Sequence, residues 1–234
     1  MYGRKCEPLH ARNPYVEDFQ KRLIDWYREE GRSFYWRTHV LNGWQWLVLE
    51  ILLRKTRADA VEKAYPSFIS KYSKPEIVLK VPDAELENDL RILGLYRQRR
   101  EVLKLIAAEI DSQYGGVTPS DQKSLSALPG VGPYISNAVL CFCYNQRRPV
   151  VDINVARVLT RFQCMDTPKD ATKKWLWELA ENMLPEENWK EYNYGLLDLG
   201  ALLCISKQPK CILCSLRDIC EMGRERASID AESH

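Results

Sequence analysis

Four cysteines near the C-terminus form a dense set of groups that could bind a metal. Cys204, Cys211, Cys214 and Cys220 follow the spacing C-x6-C-x2-C-x5-C. Structural zinc sites usually combine two C-x2-C pairs, or pair cysteine with histidine, whereas this loop has one C-x2-C pair and no histidine. Four thiolates at unequal spacing suit a [4Fe–4S] cluster. The pattern therefore predicts such a cluster, with zinc or four unligated core cysteines as the alternatives.

A glycine turn in the sequence LPGVGPY, which begins at Leu128, could bind phosphate. Gly130 and Gly132 predict a tight turn whose backbone N–H groups face outward ahead of a helix, and the turn Gly130, Val131 and Gly132 is a candidate DNA contact. Backbone amides at a helix N-terminus bind anions, and glycine lacks the Cβ that would keep a phosphate away. The pattern is typical of a helix-hairpin-helix, which contacts DNA phosphates without reading bases. A plain connection between two helices is the alternative.

Asp152 follows two valines and opens the helical segment INVARVLTRF. Aspartate is a preferred N-cap, so helix capping is one interpretation of this residue. The other interpretation is a carboxylate that lies beside a sugar. In that position it would stabilise an oxocarbenium-like transition state or activate water.

Positive charge is concentrated in short runs, although the formal net charge is only +2. The runs are Arg54-Lys55-Thr56-Arg57, Arg97-Gln98-Arg99-Arg100 and Arg147-Arg148. Such runs can bind phosphates even when the net charge is near zero. A solvated surface is the more ordinary interpretation of each run taken alone.

The rest of the sequence predicts the elements that position these groups. The chain has 234 residues, of which 45% are hydrophobic and 28% charged, as is ordinary for a globular protein with a sizeable core. Apolar residues recur at helical spacing and few segments alternate with period two, so we predict an all-α fold. No apolar run is long enough to cross a membrane and no apolar leader is visible. Together with eight cysteines, this predicts an intracellular, reducing environment.

The hairpin LPGVG, the segment VDxxVxRV and the cysteine loop together resemble the helix-hairpin-helix DNA glycosylases. The resemblance is to their iron–sulfur branch, similar to endonuclease III and the adenine glycosylase of A·8-oxoguanine repair, and it covers about residues 15–222. It implies a monomer that acts on double-stranded DNA with a mismatched or damaged base. It also implies two lobes and a tail: a six-helix barrel at 36–146, a cluster domain from 1–35 and 147–223, and a flexible segment at 224–234.

The resemblance assigns roles to Asp152 and Tyr134. Asp152 matches the family's catalytic aspartate. Tyr134 stands where endonuclease III has a catalytic lysine, which attacks C1′ and forms a Schiff base that leads to strand cleavage. A phenol cannot form an imine, so base removal by water with little or no lyase activity is implied, with Tyr134 packed against the flipped base. A tyrosine that packs only for structural reasons is the alternative.

Glu50 interrupts the apolar run WLVLEILL. A buried carboxylate is unfavourable unless it is paired, so an outward-facing or structurally paired glutamate is one interpretation. The run also resembles the adenine glycosylase segment in which a glutamate protonates the departing base. That enzyme has a small serine at the position of Tyr134 and a further C-terminal domain, whereas about 14 residues follow Cys220 here. The combination of a tyrosine at position 134 and a glutamate at position 50 is similar to the thymine glycosylases of archaea and bacteria. We therefore predict excision of thymine, and of uracil, paired with guanine.

The resemblance places two further residues in the opened DNA. Leu95 matches a wedge residue that enters the base stack, and Lys55 matches a residue that fills the space left by the flipped base. Leucine is also commonly buried in a core, which is the alternative for Leu95. Three other functions stay open: adenine removal opposite guanine or 8-oxoguanine, damage binding without catalysis, and electron transfer.

Overall fold

The structure, a computed structural model, describes residues 14–224. Cys6 and almost all of the tail predicted to be flexible at 224–234 lie outside the described residues. Every regular element within them is helical, which confirms the all-α prediction. None of these helices has both the length and the apolar character needed to cross a membrane.

Twelve α-helices make up most of the described chain, together with three short turns of other helical types. The 3₁₀ turns are Arg91–Leu93 and Cys211–Leu213, and a π-helical turn covers Val139–Cys143. In chain order the α-helices are α1 (Val16–Glu30), α2 (Tyr35–Thr38), α3 (Gly43–Leu53), α4 (Ala58–Lys71), α5 (Pro75–Lys80), α6 (Asp83–Leu90), α7 (Tyr96–Tyr114), α8 (Gln122–Ala127), α9 (Pro133–Ala138), α10 (Ile153–Phe162), α11 (Lys174–Asn182) and α12 (Trp189–Leu202).

The chain divides into two compact units, which are described separately. The first, Ser33–Gln146, is called the hairpin unit. Its helix α3 is almost entirely apolar and buried. Asn42 and Gln45 fix the start of α3, because each side chain accepts a hydrogen bond from the other residue's backbone N–H, at 3.0 and 2.9 Å. The long helix α7 packs against α5 and α6 and ends at Gly115, whose left-handed φ of +58° is a common helix stop.

The second unit, called the cysteine unit, contains the described residues of Met1–Arg32 and Arg147–His234. Helices α1, α10 and α12 share its core, in which the rings of Phe19 and Phe162 lie 4.3 Å apart. An ion pair also links the two chain segments that form this unit. Asp198 is fully buried and binds the guanidinium of Arg32 at 2.7 Å.

Candidate functional site

Asp152 lies in the cysteine unit and is the N-cap of α10. Its Oδ1 accepts hydrogen bonds from the backbone N–H groups of Asn154 (2.8 Å) and Val155 (2.7 Å). Its Oδ2 accepts from the side-chain amide of Asn154 at 2.8 Å. The capping interpretation is therefore correct, and the cap holds a half-buried carboxylate at the partially positive end of a helix. An anion fixed in this way can stabilise positive charge that develops on a bound sugar.

A chain of hydrogen bonds continues from Asp152 to the cysteine loop. Asn154 Oδ1 accepts from Arg157 Nη2 at 3.0 Å, and Arg157 Nε donates to the carbonyl of Cys204 at 2.7 Å. Burial lowers the pKa of this guanidinium. Gly200 allows α12 to approach α10, because a Cβ at this position would lie 3.0 Å from the Cβ of Asn154. The sequence analysis missed these contacts, and the available signal was an arginine directly between apolar residues of α10, Ala156 and Val158.

The four loop cysteines line one cavity of the cysteine unit, with an empty volume of about 430 Å³ including its open mouth. Arg161 also lines this cavity, and its Nη1 lies 3.4 Å from Cys204 Sγ. The same guanidinium donates to the carbonyls of Ile205 and Ser206, both at 2.8 Å, which holds the start of the loop against α10. A cationic donor beside a sulfur fits a site for thiolate ligands. Within residues 14–224, however, no set of three or more Cys, His, Asp or Glu side chains is arranged to hold a metal ion.

The thiols of this cavity are in an unusual electrostatic environment. Burial raises the pKa of Cys214 to about 12 and that of Cys220 to about 11. Neighbouring cysteines of the loop add to both shifts, so the four lie within electrostatic reach of one another. A bound metal would remove this penalty, because cysteine binds metals as the thiolate.

Glu50 lies on α3 of the hairpin unit and is 3% exposed, so the outward-facing alternative is wrong. Tyr65 lies close enough to Glu50 to interact with it electrostatically. Burial is the main cause that raises the pKa of Tyr65 above its usual range, and the charges of Tyr35 and Glu50 add to the effect. The Tyr65 hydroxyl donates to the carbonyl of Gln45 at 2.8 Å. A buried carboxyl group at this position is a candidate general acid for a base bound beside it.

The glycine turn joins α8 to α9 in the hairpin unit. Gly130 has a left-handed φ of +73°, and the N–H of Val131 donates to the carbonyl of Leu128 at 3.1 Å. This bond closes the turn, so the prediction of outward-facing N–H groups is wrong for Val131, whose side chain is also buried. On Gly132 a Cβ would meet no atom within 4 Å, so the space beside it is open. Tyr134 follows on the first turn of α9 and is half-buried.

Lys55 and Leu95 occupy two turns of the hairpin unit, and both have left-handed backbones, with φ of +55° and +50°. Lys55 is exposed. Leu95 is 42% exposed, so the buried-core alternative for it is wrong. The two turns are in contact, because Thr56 Oγ1 donates to the carbonyl of Leu93 at 3.3 Å. The structure therefore brings together the turns that carry the two residues assigned to DNA insertion.

The arginines of the basic runs differ in their exposure and in their partners. Arg99 is 3% exposed, which contradicts both the phosphate-binding and the solvated interpretation for this residue. Arg100 pairs with Asp83 at 2.9 Å and Arg147 pairs with Glu181 at 2.6 Å, so both are engaged within the protein.

Comparison with known proteins identifies the family. Residues 48–182 match the family model described as HhH-GPD superfamily base excision DNA repair protein. The chain belongs to the HhH-GPD superfamily. The matched part of this HhH-GPD protein includes Glu50, Tyr134 and Asp152, whereas the cysteine loop lies beyond it.

Individual relatives are similar to this HhH-GPD protein over most of its length. A thymine/uracil-DNA glycosylase of Methanothermobacter thermautotrophicus is 36% identical over 211 residues, which cover 90% of this chain and 95% of that protein. An adenine DNA glycosylase of Mycolicibacterium smegmatis is 33% identical over 194 residues, which cover 83% of this chain and 66% of that protein. The solved structure of a thermostable thymine-DNA glycosylase has a TM-score of 0.86 and 34% identity, and the match covers 91% of this chain and 98% of that one.

Proposed function

We propose that this HhH-GPD protein is a monofunctional DNA glycosylase that removes thymine, and also uracil, mispaired with guanine. The observation that carries the proposal is a phenol at Tyr134 together with two carboxyl groups, the buried Glu50 and the helix-anchored Asp152. The two carboxyl groups are of the kind that hydrolysis of an N-glycosidic bond requires, and position 134 has no amine that could form an imine. Similarity to a thymine/uracil-DNA glycosylase along 95% of that protein supports the choice of base.

Asp152 acts on the sugar. As the glycosidic bond lengthens, the sugar takes on oxocarbenium character, and the Asp152 anion stabilises that positive charge. Three hydrogen bonds from Asn154 and Val155 already orient the carboxylate, so little reorganisation accompanies the step. Water then adds to C1′ and loses a proton, which leaves an abasic site and the free base.

Glu50 acts on the base. The departing pyrimidine gains negative charge as the bond breaks, and a hydrogen bond or a proton from Glu50 stabilises it. Tyr134 packs against the flipped pyrimidine and takes no part in bond making. The product strand is therefore left uncut at the abasic site, unlike the product of an enzyme that attacks C1′ with a lysine.

Base flipping precedes this chemistry. Extrusion of a paired base costs roughly a few kcal/mol, and less at a mismatch, which contributes to selectivity. We assign Leu95 to the base stack and Lys55 to the space left by the flipped base, and both lie on exposed turns. We assign the phosphate contact to main-chain atoms of Gly130 and Gly132, because the Val131 N–H donates to the carbonyl of Leu128 and the Val131 side chain is buried.

The cysteine loop is assigned to a [4Fe–4S] cluster with Cys204, Cys211, Cys214 and Cys220 as ligands. The cavity that the four line, with the Arg161 guanidinium 3.4 Å from Cys204 Sγ, supports this assignment. When bound, the cluster would cross-link the loop and hold it in shape. Lys207 and Lys210 are exposed on the loop and are suited to DNA phosphates as point charges. We further assign the protein as a monomer that acts on double-stranded DNA.

The test is single-turnover excision on end-labelled duplexes with one G·T, G·U, A·G or A·8-oxoguanine pair, analysed with and without alkali. We expect the thymine and uracil strands to break only after alkali. Breakage of the adenine strand would instead favour an adenine glycosylase, whose sequence also has a glutamate at the position of Glu50. Binding without any abasic product would refute the glycosylase assignment and favour a damage-binding protein.

A further inference from the structure

Arg99 is a buried arginine on the first turns of α7 that the proposed chemistry leaves without a role. Its Nη1 donates to the carbonyls of Leu93 at 2.7 Å and Gly94 at 2.6 Å. These carbonyls belong to residues 91–95, which are called the leucine turn because they carry Leu95. Arg99 therefore fixes the backbone of this turn from its buried side, whereas Leu95 is exposed.

The same guanidinium also holds the turn of Lys55. Its Nη2 lies 2.9 Å from the carbonyls of Leu52 and Arg54 and 2.6 Å from Thr56 Oγ1. Residues 52–56 are called the lysine turn. Five neutral acceptors from two distant segments thus converge on one planar fork, a geometry that the single ammonium of a lysine cannot reproduce.

Both turns need support, because each carries a left-handed residue other than glycine at its tip. Such backbones persist only where their surroundings enforce them. Both turns also present side chains to solvent. Ile92 is 78% exposed beside Leu95, and the guanidiniums of Arg91 and Arg97 lie 4.9 and 5.7 Å from the ring of Tyr96. An apolar tip flanked by cations fits insertion into a base stack between phosphates.

We propose that Arg99 is a positioning residue that joins the lysine turn and the leucine turn, so that Lys55 and Leu95 enter DNA together as one rigid body. This inference rests on the proposed glycosylase function. Its consequence is specific: Arg99 assists extrusion of the base and does not act in the bond-breaking step. Loss of Arg99 must therefore reduce excision most where extrusion is most difficult.

The experiment compares two duplexes from which the same base, uracil, is excised. In one duplex uracil is paired with guanine. In the other it lies opposite a tetrahydrofuran abasic analogue, where no base pair has to be broken. The variants are Arg99→Lys, which keeps the charge but loses the planar guanidinium, and Thr56→Val, which removes one acceptor of Arg99 together with the hydrogen bond from Thr56 to Leu93. The matched control is Arg100→Lys on the same helix, whose guanidinium binds Asp83 and not the two turns.

We expect Arg99→Lys to lower single-turnover excision from G·U by about 30-fold or more, but excision opposite the abasic analogue by less than about 3-fold, on the scale of one flipping step. Thr56→Val should show the same selectivity with a smaller loss, and Arg100→Lys should match the wild type. Equal losses on both duplexes would overturn the inference, because a general folding defect lowers both. So would unchanged excision from G·U in both variants. A wild-type protein that excises uracil from neither duplex would instead refute the proposed function on which the inference rests.

Discussion

Replacement of Asp152 by asparagine separates its proposed chemical role from its role as a helix cap. The amide oxygen of the new side chain could still accept from the backbone N–H groups of Asn154 and Val155, and asparagine is as good an N-cap as aspartate. We therefore expect Asp152→Asn to lower stability by less than about 1 kcal/mol, or about 2–4 °C in Tm for a chain of this length. The negative charge is lost, however. Removal of one preorganised electrostatic group costs about 3–4 kcal/mol in the transition state, so excision should fall by about 10²–10³-fold.

The assay is single-turnover excision of thymine from a G·T duplex, with affinity for the same duplex measured by fluorescence anisotropy. Affinity should change by less than about 3-fold, because the phosphate contacts that dominate it are untouched. Asp152→Ala is the matched control, since it loses the charge and the cap together and should be about 1 kcal/mol less stable than Asp152→Asn. An Asp152→Asn protein that excises thymine within tenfold of the wild-type rate would refute the electrostatic role.

The remaining predictions concern both units. Tyr134→Lys supplies an amine on α9, so borohydride should trap a covalent complex with abasic DNA that the wild type does not form. Glu50→Gln keeps the shape but cannot donate a proton, and thymine excision should fall about 10²-fold or more with unchanged mismatch binding. Cys214→Ser should abolish the visible absorbance of the proposed cluster and lower Tm in a thermal melt. Asp198→Ala removes the buried carboxylate that Arg32 binds at 2.7 Å, so urea unfolding should show a loss of about 2 kcal/mol, the usual contribution of a hydrogen bond to a charged group.

Each of these predictions has a contradicting result. A borohydride-trapped complex with the wild type would contradict the monofunctional assignment. Full activity of Glu50→Gln would exclude proton donation by this residue. Unchanged absorbance of Cys214→Ser would remove Cys214 from the ligand set. Wild-type stability of Asp198→Ala would show that the pair with Arg32 contributes nothing net, as can occur when desolvation cancels the attraction of two charges.

Local sequence signals accounted for much of the molecule. Helical periodicity predicted the all-α fold, because it reports which face of a segment is buried. Aspartate at the head of a helical segment made an N-cap one of the two interpretations of Asp152, and this one could be found in the sequence because capping depends on residues two and three positions away. The glycine turn before α9 was likewise visible, because few other residues adopt the backbone found at Gly130.

The interpretations that were wrong, and the contacts that were missed, depended on partners far away in the chain. Arg99 lies in a basic run that a sequence analysis assigns to the surface, yet its acceptors include carbonyls 45 and 47 residues away. Arg157 likewise binds a carbonyl 47 residues away. No periodicity or composition signal reports which carbonyl groups a buried guanidinium will meet, because the tertiary fold creates those acceptors.

The anchoring of Asp152 bears on how such an enzyme can change its substrate during evolution. The carboxylate proposed to act on the sugar is fixed by residues of α10 in one compact unit, whereas Glu50 and Tyr134, which are assigned to the base, belong to the other. Mutations that alter the choice of base can therefore accumulate in the hairpin unit while the hydrogen bonds around Asp152 stay intact. Related enzymes can in this way come to remove different damaged bases while the hydrolytic step stays the same.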